Sequence, residues 1–272
     1  MHGDPTRDAA NGAPWNVLTS HGPVLATSIH AGHGIRLELQ PWLDSDEEVR
    51  LREEDPMTDY FLSCVGHAVR ANRSRFECDL NRPRERCISS DPEDTWGLTI
   101  WREELPEEQM ENSRRLHDAF YARMKSLIGE LVVEHGRVLV LDLHSFNHRR
   151  EGPLGAPGEP EANPDIDLGV TELNPTLYGA LVERMTRTLR SESVRGRTPD
   201  VRHNKRFPDG GAFPEWVYRT FGDDVCTITL EYKKFFMDEW DGRADILAMQ
   251  HARAGFLRAV EGAAVDLAKV GP

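Results

Sequence analysis

Apolar positions along this chain follow two patterns: short unbroken runs, and longer stretches where they return every three or four residues. Residues 24–29 (VLATSI), 138–143 (VLVLDL) and 225–232 (VCTITLEY) are runs of the first kind and read as buried strands. Residues 76–80 read as a further strand, closed by Asn81-Arg82-Pro83. The clearest helical stretch is 107–135, with Leu116, Phe120, Met124, Leu127 and Leu131 on one face and Gly136 as its stop. Residues 174–191 and the Ala-rich 244–269 also read as helices, as does 59–70, where Tyr60, Val65 and Val69 lie near helical spacing. Charge dominates 44–55, which reads as a solvated loop or helix start. Proline and glycine make 83–106 irregular and 151–164 a loop.

Strands separated by long helices predict an α/β fold: a single three-layer domain whose mixed, mostly parallel sheet is flanked by helices. The expected domain spans 17–272, preceded by a flexible tail at 1–16 that carries Asp4, Pro5, Arg7, Asp8 and Pro14 but no apolar segment of a secretory signal. Ligands of such sheets sit beyond the C-terminal ends of strands. His30, His144 and Glu231 all fall at or near such ends, which is the main reason to group them.

Composition narrows the partners. Hydrophobic residues make up 39% and charged residues 29%, ordinary for a soluble globular protein. No apolar run approaches the ~18–20 residues that span a bilayer, so no membrane association is expected. A formal charge of −13 argues against nucleic acid, whose binding is driven by phosphate neutralisation, yet a locally basic cavity can still take an anion. Cys64, Cys78, Cys87 and Cys226 form no C-x-x-C pair. Without an export signal they read as reduced thiols of a cytoplasmic protein.

His30 and His33 sit in the turn HAGHG, where imidazoles can be aimed at a shared metal or can simply face solvent. His144 leaves a buried strand with Asp142 and Ser145 near enough to orient its ring, or it is a strand-end histidine satisfied by backbone. Glu231 interrupts an apolar strand. A carboxylate there is costly unless paired, metal-bound or functional, and could be a general base, though an edge-strand glutamate paired with Lys233 reads the same way. Asp79, Asn81 and Arg82 lie in CDLNRP, which could clamp a carboxylate through the arginine fork or close a strand with a surface ion pair. Asp55 and Asp59 lie among many solvated acids. Arg206, Gly210 and Gly211, in KRFPDGG, read as a mobile substrate loop or a polar turn.

The order of these landmarks resembles the N-formylglutamate amidohydrolase family, relatives of the zinc carboxypeptidases, over residues 24 to 240. An apolar strand ends in His30-Ala-Gly32, followed by Thr58-Asp59, Ser74-Arg75-Phe76 and Asp79 to Pro83. Asp142 to Ser145 (D-x-H-S), Pro164 to Gly169, Gly210-Gly211 with Arg219 downstream, and Leu230-Glu231 complete the series. The resemblance implies a zinc carboxypeptidase-like fold and one zinc ion per chain, held by His30, His144 and Asp59. The last is chosen because it matches the family's T-D position. The carboxypeptidase relatives carry a glutamate where His33 stands here, so His33, Glu54 and Asp55 are the alternatives for the third ligand. The resemblance further implies Glu231 as the base, and Arg82 with Asn81, helped by Arg75 or Arg219, as the grip on a small-molecule carboxylate substrate. The implied reaction turns N-formyl-L-glutamate into formate and L-glutamate. The alternatives are another N-acyl amino acid or small peptide-like amide, or a non-catalytic metal-binding domain. Oligomeric state is not legible.

Overall fold

In the computed structural model, which describes residues 12–88 and 91–270, seven strands form one sheet. They are β1 (Trp15–Leu18), β2 (Val24–Ser28), β3 (His67–Ala71), β4 (Val138–Phe146), β5 (Ile166–Gly169), β6 (Val201–His203) and β7 (Val225–Lys233), in the spatial order β1-β3-β2-β4-β7-β5-β6. β3, β2, β4 and β7 run parallel, whereas β1 on β3 and β5 on β7 are antiparallel. The helices are α1 (Glu47–Glu53), α2 (Glu107–His135), α3 (Pro175–Ser191), α4 (Ala212–Phe221) and α5 (Ile246–Leu267).

Alternation of side chains along the central strands divides the core into two layers. Leu139, Leu141 and Leu143 of β4, with Cys226, Ile228 and Leu230 of β7, pack against α3 and α5 through Tyr178, Met185 and Phe256. Val138 and Val140, with Val225, pack on the opposite face against Phe120 and Met124 of α2 and Phe213 of α4. The result is the expected helix–sheet–helix sandwich. On the α2/α4 face the pattern changes along each strand. β4 reads Val138, Val140, Asp142, His144, and β7 reads Val225, Thr227, Thr229, Glu231, apolar in the core and polar at the C-terminal end. All of these residues are buried, so their polarity costs stability unless partners or function require it.

Several expectations fail locally. The helix expected over 59–70 is a 3₁₀ segment, Thr58–Cys64, followed by β3. Val65 and Gly66 separate them, and Gly66 lies so close to the His21 carbonyl that a Cβ would collide with it. Residues 76–80 form turns rather than a strand: the Glu77 and Cys78 amides donate back to the Ser74 carbonyl. β1 begins at Trp15, within the span expected as tail, and residues 1–11 lie outside the described residues. Part of the supposedly solvated stretch 44–55 is buried, including Arg50, Glu53, Glu54 and Asp55.

Candidate active site

His30 follows β2, and its carbonyl accepts the Asp55 amide at 3.0 Å, which ties the segment after α1 to the end of β2. The buried Lys234 ammonium, just past β7, donates to the Arg52 and Glu54 carbonyls at 2.6 and 2.7 Å and holds the same segment from the other side. Burial pushes Lys234 down to about 8, against the pull of Asp55, Glu53 and Glu239.

Between these anchors three donors converge. Asp55 Oδ2 lies 2.9 Å from His144 Nδ1 and 3.4 Å from His30 Nδ1, and the two imidazoles meet edge to face with centroids 4.7 Å apart. One ligand atom from each of His30, Asp55 and His144 lies within 4.8 Å of the other two, and all three residues are buried. Each ring is oriented through its other nitrogen: His30 Nε2 to Asp79 Oδ1 and His144 Nε2 to Asp142 Oδ2, both at 2.8 Å. Thr27 Oγ1 donates to the second oxygen of Asp142 from the neighbouring strand.

This arrangement fits a metal ion. His30 Nδ1 is buried with no hydrogen-bond partner and faces the Asp55 carboxylate. Two imidazoles and one carboxylate, with each ring backed by a second carboxylate, are a donor set suited to a divalent metal ion. The charges agree. Burial raises the Asp55 carboxyl, but the hydrogen bond from His144 and the pull of the adjacent His30 ring outweigh it and hold Asp55 well below the carboxylate range. Burial likewise opposes charge on His144, and Asp142 overcomes it.

The three donors form the floor of a cavity of about 270 Å³, shared with Glu231. Burial pushes Glu231 up to about 8; His144 opposes that rise and the charges of Asp55 and Asp142 add to it. Its position is set by the sheet: Glu231 is in register with His144 on one side and with Asp167 of the antiparallel β5 on the other. Arg75 and Arg82 line the cavity but are already paired within the protein. Arg75 grips Asp79 Oδ2 at 2.8 and 3.1 Å, and Arg82 bonds Asp94 at 2.7 Å. Asn81 also lines it, and its Oδ1 accepts the Phe213 amide at 3.0 Å, capping α4 from a distant part of the chain.

The structure therefore brings together His30, His144, Glu231, Arg75, Asn81 and Arg82. It does not bring Asp59, whose carboxylate pairs with Arg70 at 2.7 Å; the acidic donor beside the two histidines is Asp55. Arg219 is also elsewhere, on the solvent side of α4, 76% exposed and paired with Glu215, bordering a separate surface groove. His33 points away to Glu54 and Glu47. Three contributors had little sequence signal: Asp79 as partner of His30, Asp167, and Lys234. Asp142 had one, since positions two apart on a strand share a face.

A family model described as N-formylglutamate amidohydrolase matches residues 22–236. No curated protein matches the chain. Among solved structures, an N-formylglutamate amidohydrolase from Ralstonia eutropha JMP134 is similar at 18% identity and a TM-score of 0.71, over 91% of this chain and 97% of that one. A gene product from Agrobacterium tumefaciens is similar at 19% identity and a TM-score of 0.64, over 94% of this chain and 99% of that one. At these identities the two structures speak for the fold.

Proposed function

We propose that this chain, which belongs to the N-formylglutamate amidohydrolase family, hydrolyses N-formyl-L-glutamate to formate and L-glutamate with one zinc ion held by His30, Asp55 and His144. The observation that carries this reading is the convergence of His30 Nδ1, His144 Nδ1 and the Asp55 carboxylate on a cavity floor that also holds a buried, otherwise unexplained Glu231. A metal in that set supplies polarisation of a carbonyl and acidification of a water molecule.

The protein's own groups do the rest. Glu231 takes the proton of the attacking water and returns it to the leaving nitrogen. Burial favours the protonated form of Glu231, the form that delivers the proton to the leaving nitrogen. Asp142 and Asp79 keep the two imidazoles in the tautomer that presents Nδ1 as a donor. The arginine-rich wall formed by Arg75 and Arg82, with the Asn81 amide, offers the substrate's α-carboxylate a positive environment.

A non-catalytic metal domain is the less favoured reading, because a structural site has no use for a buried base at this cost. No helix among the described residues is long and apolar enough to cross a membrane, and the four cysteines are free, in keeping with a reducing, cytoplasmic compartment. The decisive experiment combines metal analysis of protein purified without chelator with turnover of a panel of N-acyl amino acids. About one zinc per chain and fastest turnover of N-formyl-L-glutamate is expected. Full activity without metal, or no hydrolysis of any member, defeats the proposal.

A further inference from the structure

We infer that Arg206 binds the side-chain carboxylate of the substrate and so makes the site prefer acidic N-acyl amino acids over neutral ones, an inference that rests on the amide hydrolysis proposed above.

Five cationic side chains besides the histidines line the cavity: Arg75, Arg82, Arg150, Arg206 and Lys234. Four already have partners. Arg75 holds Asp79, Arg82 holds Asp94, Arg150 pairs with Glu53 at 3.1 Å, and Lys234 donates to two carbonyls. Among the described residues the Arg206 guanidinium makes no hydrogen bond or ion pair, and its Nε is buried without a partner. An arginine fork is a rigid set of donors matched to a carboxylate, and leaving its buried Nε–H unpaired is costly. A ligand carboxylate removes that cost.

Its surroundings place the fork for this task. The guanidinium carbon lies 5.7 Å from the Phe146 ring centre and 5.2 Å from that of Phe207, so apolar walls shield it on two sides. Phe146 is two residues beyond His144 on the same face of β4. The backbone beneath is held by Asp167, which accepts the Lys205 amide at 2.9 Å and the Arg206 amide at 2.6 Å. Asp167 is itself the β5 neighbour of Glu231. The fork is thus attached at the sheet level of the base, on a loop from the opposite edge of the sheet to the Arg75–Arg82 segment. Burial and the nearby Arg150 charge push the Arg206 guanidinium below its usual value, a strain that an anion relieves.

Two measurements on Arg206→Gln test this. The first is kcat/KM for N-formyl-L-glutamate divided by kcat/KM for N-formyl-L-glutamine. The second, which needs no turnover, is the ratio of calorimetric affinities for L-glutamate and L-glutamine. The wild type is expected to favour the glutamate compound in both. Arg206→Gln is expected to lower both ratios roughly 10- to 100-fold, the scale of a lost charge-assisted hydrogen bond, chiefly through KM. Arg206→Lys, which keeps the charge, is expected to recover part of the preference. Wild-type protein that hydrolyses neither formyl compound but binds glutamate through Arg206 would defeat the proposed reaction and uphold this assignment. An unchanged affinity ratio in Arg206→Gln, or a wild type indifferent to side-chain charge, overturns it.

Discussion

His144 and Glu231 stand in register on the parallel strands β4 and β7, with their side chains on the same face of the sheet. The imidazole proposed to bind metal and a buried carboxyl are therefore spaced by the backbone ladder, about 4.8 Å between strands, rather than by a loop. This gives the proposed base a rigid relation to the proposed metal donor.

Replacing Glu231 with glutamine is expected to retain metal and fold while kcat drops by about 10²–10⁴, the usual effect of losing a general base. The change is nearly isosteric and removes a carboxyl that burial disfavours in its charged form. Bound zinc, melting temperature and kcat measured on one preparation check this; wild-type kcat would remove Glu231 from the chemistry.

Asp55→Asn and Asp59→Asn separate the observed donor from the one expected by resemblance. The first is expected to lose zinc and turnover together. The second cuts only a half-exposed pair with Arg70, worth about 0.2–1 kcal/mol, and is expected to keep both. Elemental analysis of the two variants decides, and the reverse result would restore Asp59.

Asp142→Asn leaves every proposed metal donor in place but takes the anionic partner from His144 Nε2. Metal affinity is expected to fall about 10- to 100-fold, as for other carboxylates that orient a ligating imidazole. Competition against a zinc chelator measures it, and unaltered affinity would show that Thr27 and the sheet alone orient the ring.

Glu239 governs an acid-sensitive part of the fold away from the metal donors. Burial raises its carboxyl, but the His148 ring and the His148 and Arg149 amides outweigh that and bring it to about 2. A folded-state value below the unfolded one gives stability that is present above about pH 4.5 and lost as pH falls toward 2. Glu239→Gln is thus expected to be less stable than wild type by about 2–3 kcal/mol at pH 7, with the gap closing by pH 2. Urea unfolding across that range tests the trend; a gap that does not vary with pH would contradict it.

Arg82→Ala and Arg219→Ala divide the expected carboxylate grip. Arg82 lines the cavity, so its loss is expected to raise KM by about 10-fold or more. Arg219 reaches solvent and Glu215, so its loss is expected to leave KM unchanged. Steady-state kinetics on N-formyl-L-glutamate check both.

Long or strongly apolar segments were legible in the sequence. Residues 107–135 form α2 as expected, and the runs 138–143 and 225–232 form the cores of β4 and β7 because a strand buried on both faces leaves an unbroken apolar signature. β5 and β6 were not legible: they have only four and three residues, and their pairing comes from tertiary contact rather than local pattern. For the candidate site, His30, His144 and Glu231 stood out because each stands at or near a strand end, and the fold brings all three to one cavity. Asp55 could not be distinguished among its charged neighbours, since sequence shows the density of acids in 44–59 but not which of them is buried.

The loop that carries Arg206 is tied at both ends. At its start the amides of residues 205–207 bond to Asp167, and at its far end Asn81 receives the Ala212 and Phe213 amides. Gly211 packs so tightly on the Asn81 carboxamide that any side chain there would have to displace it. Such a loop has given up its conformational freedom during folding. An arriving anion meets a wall that is already ordered, and little of its binding energy is lost to arranging that wall.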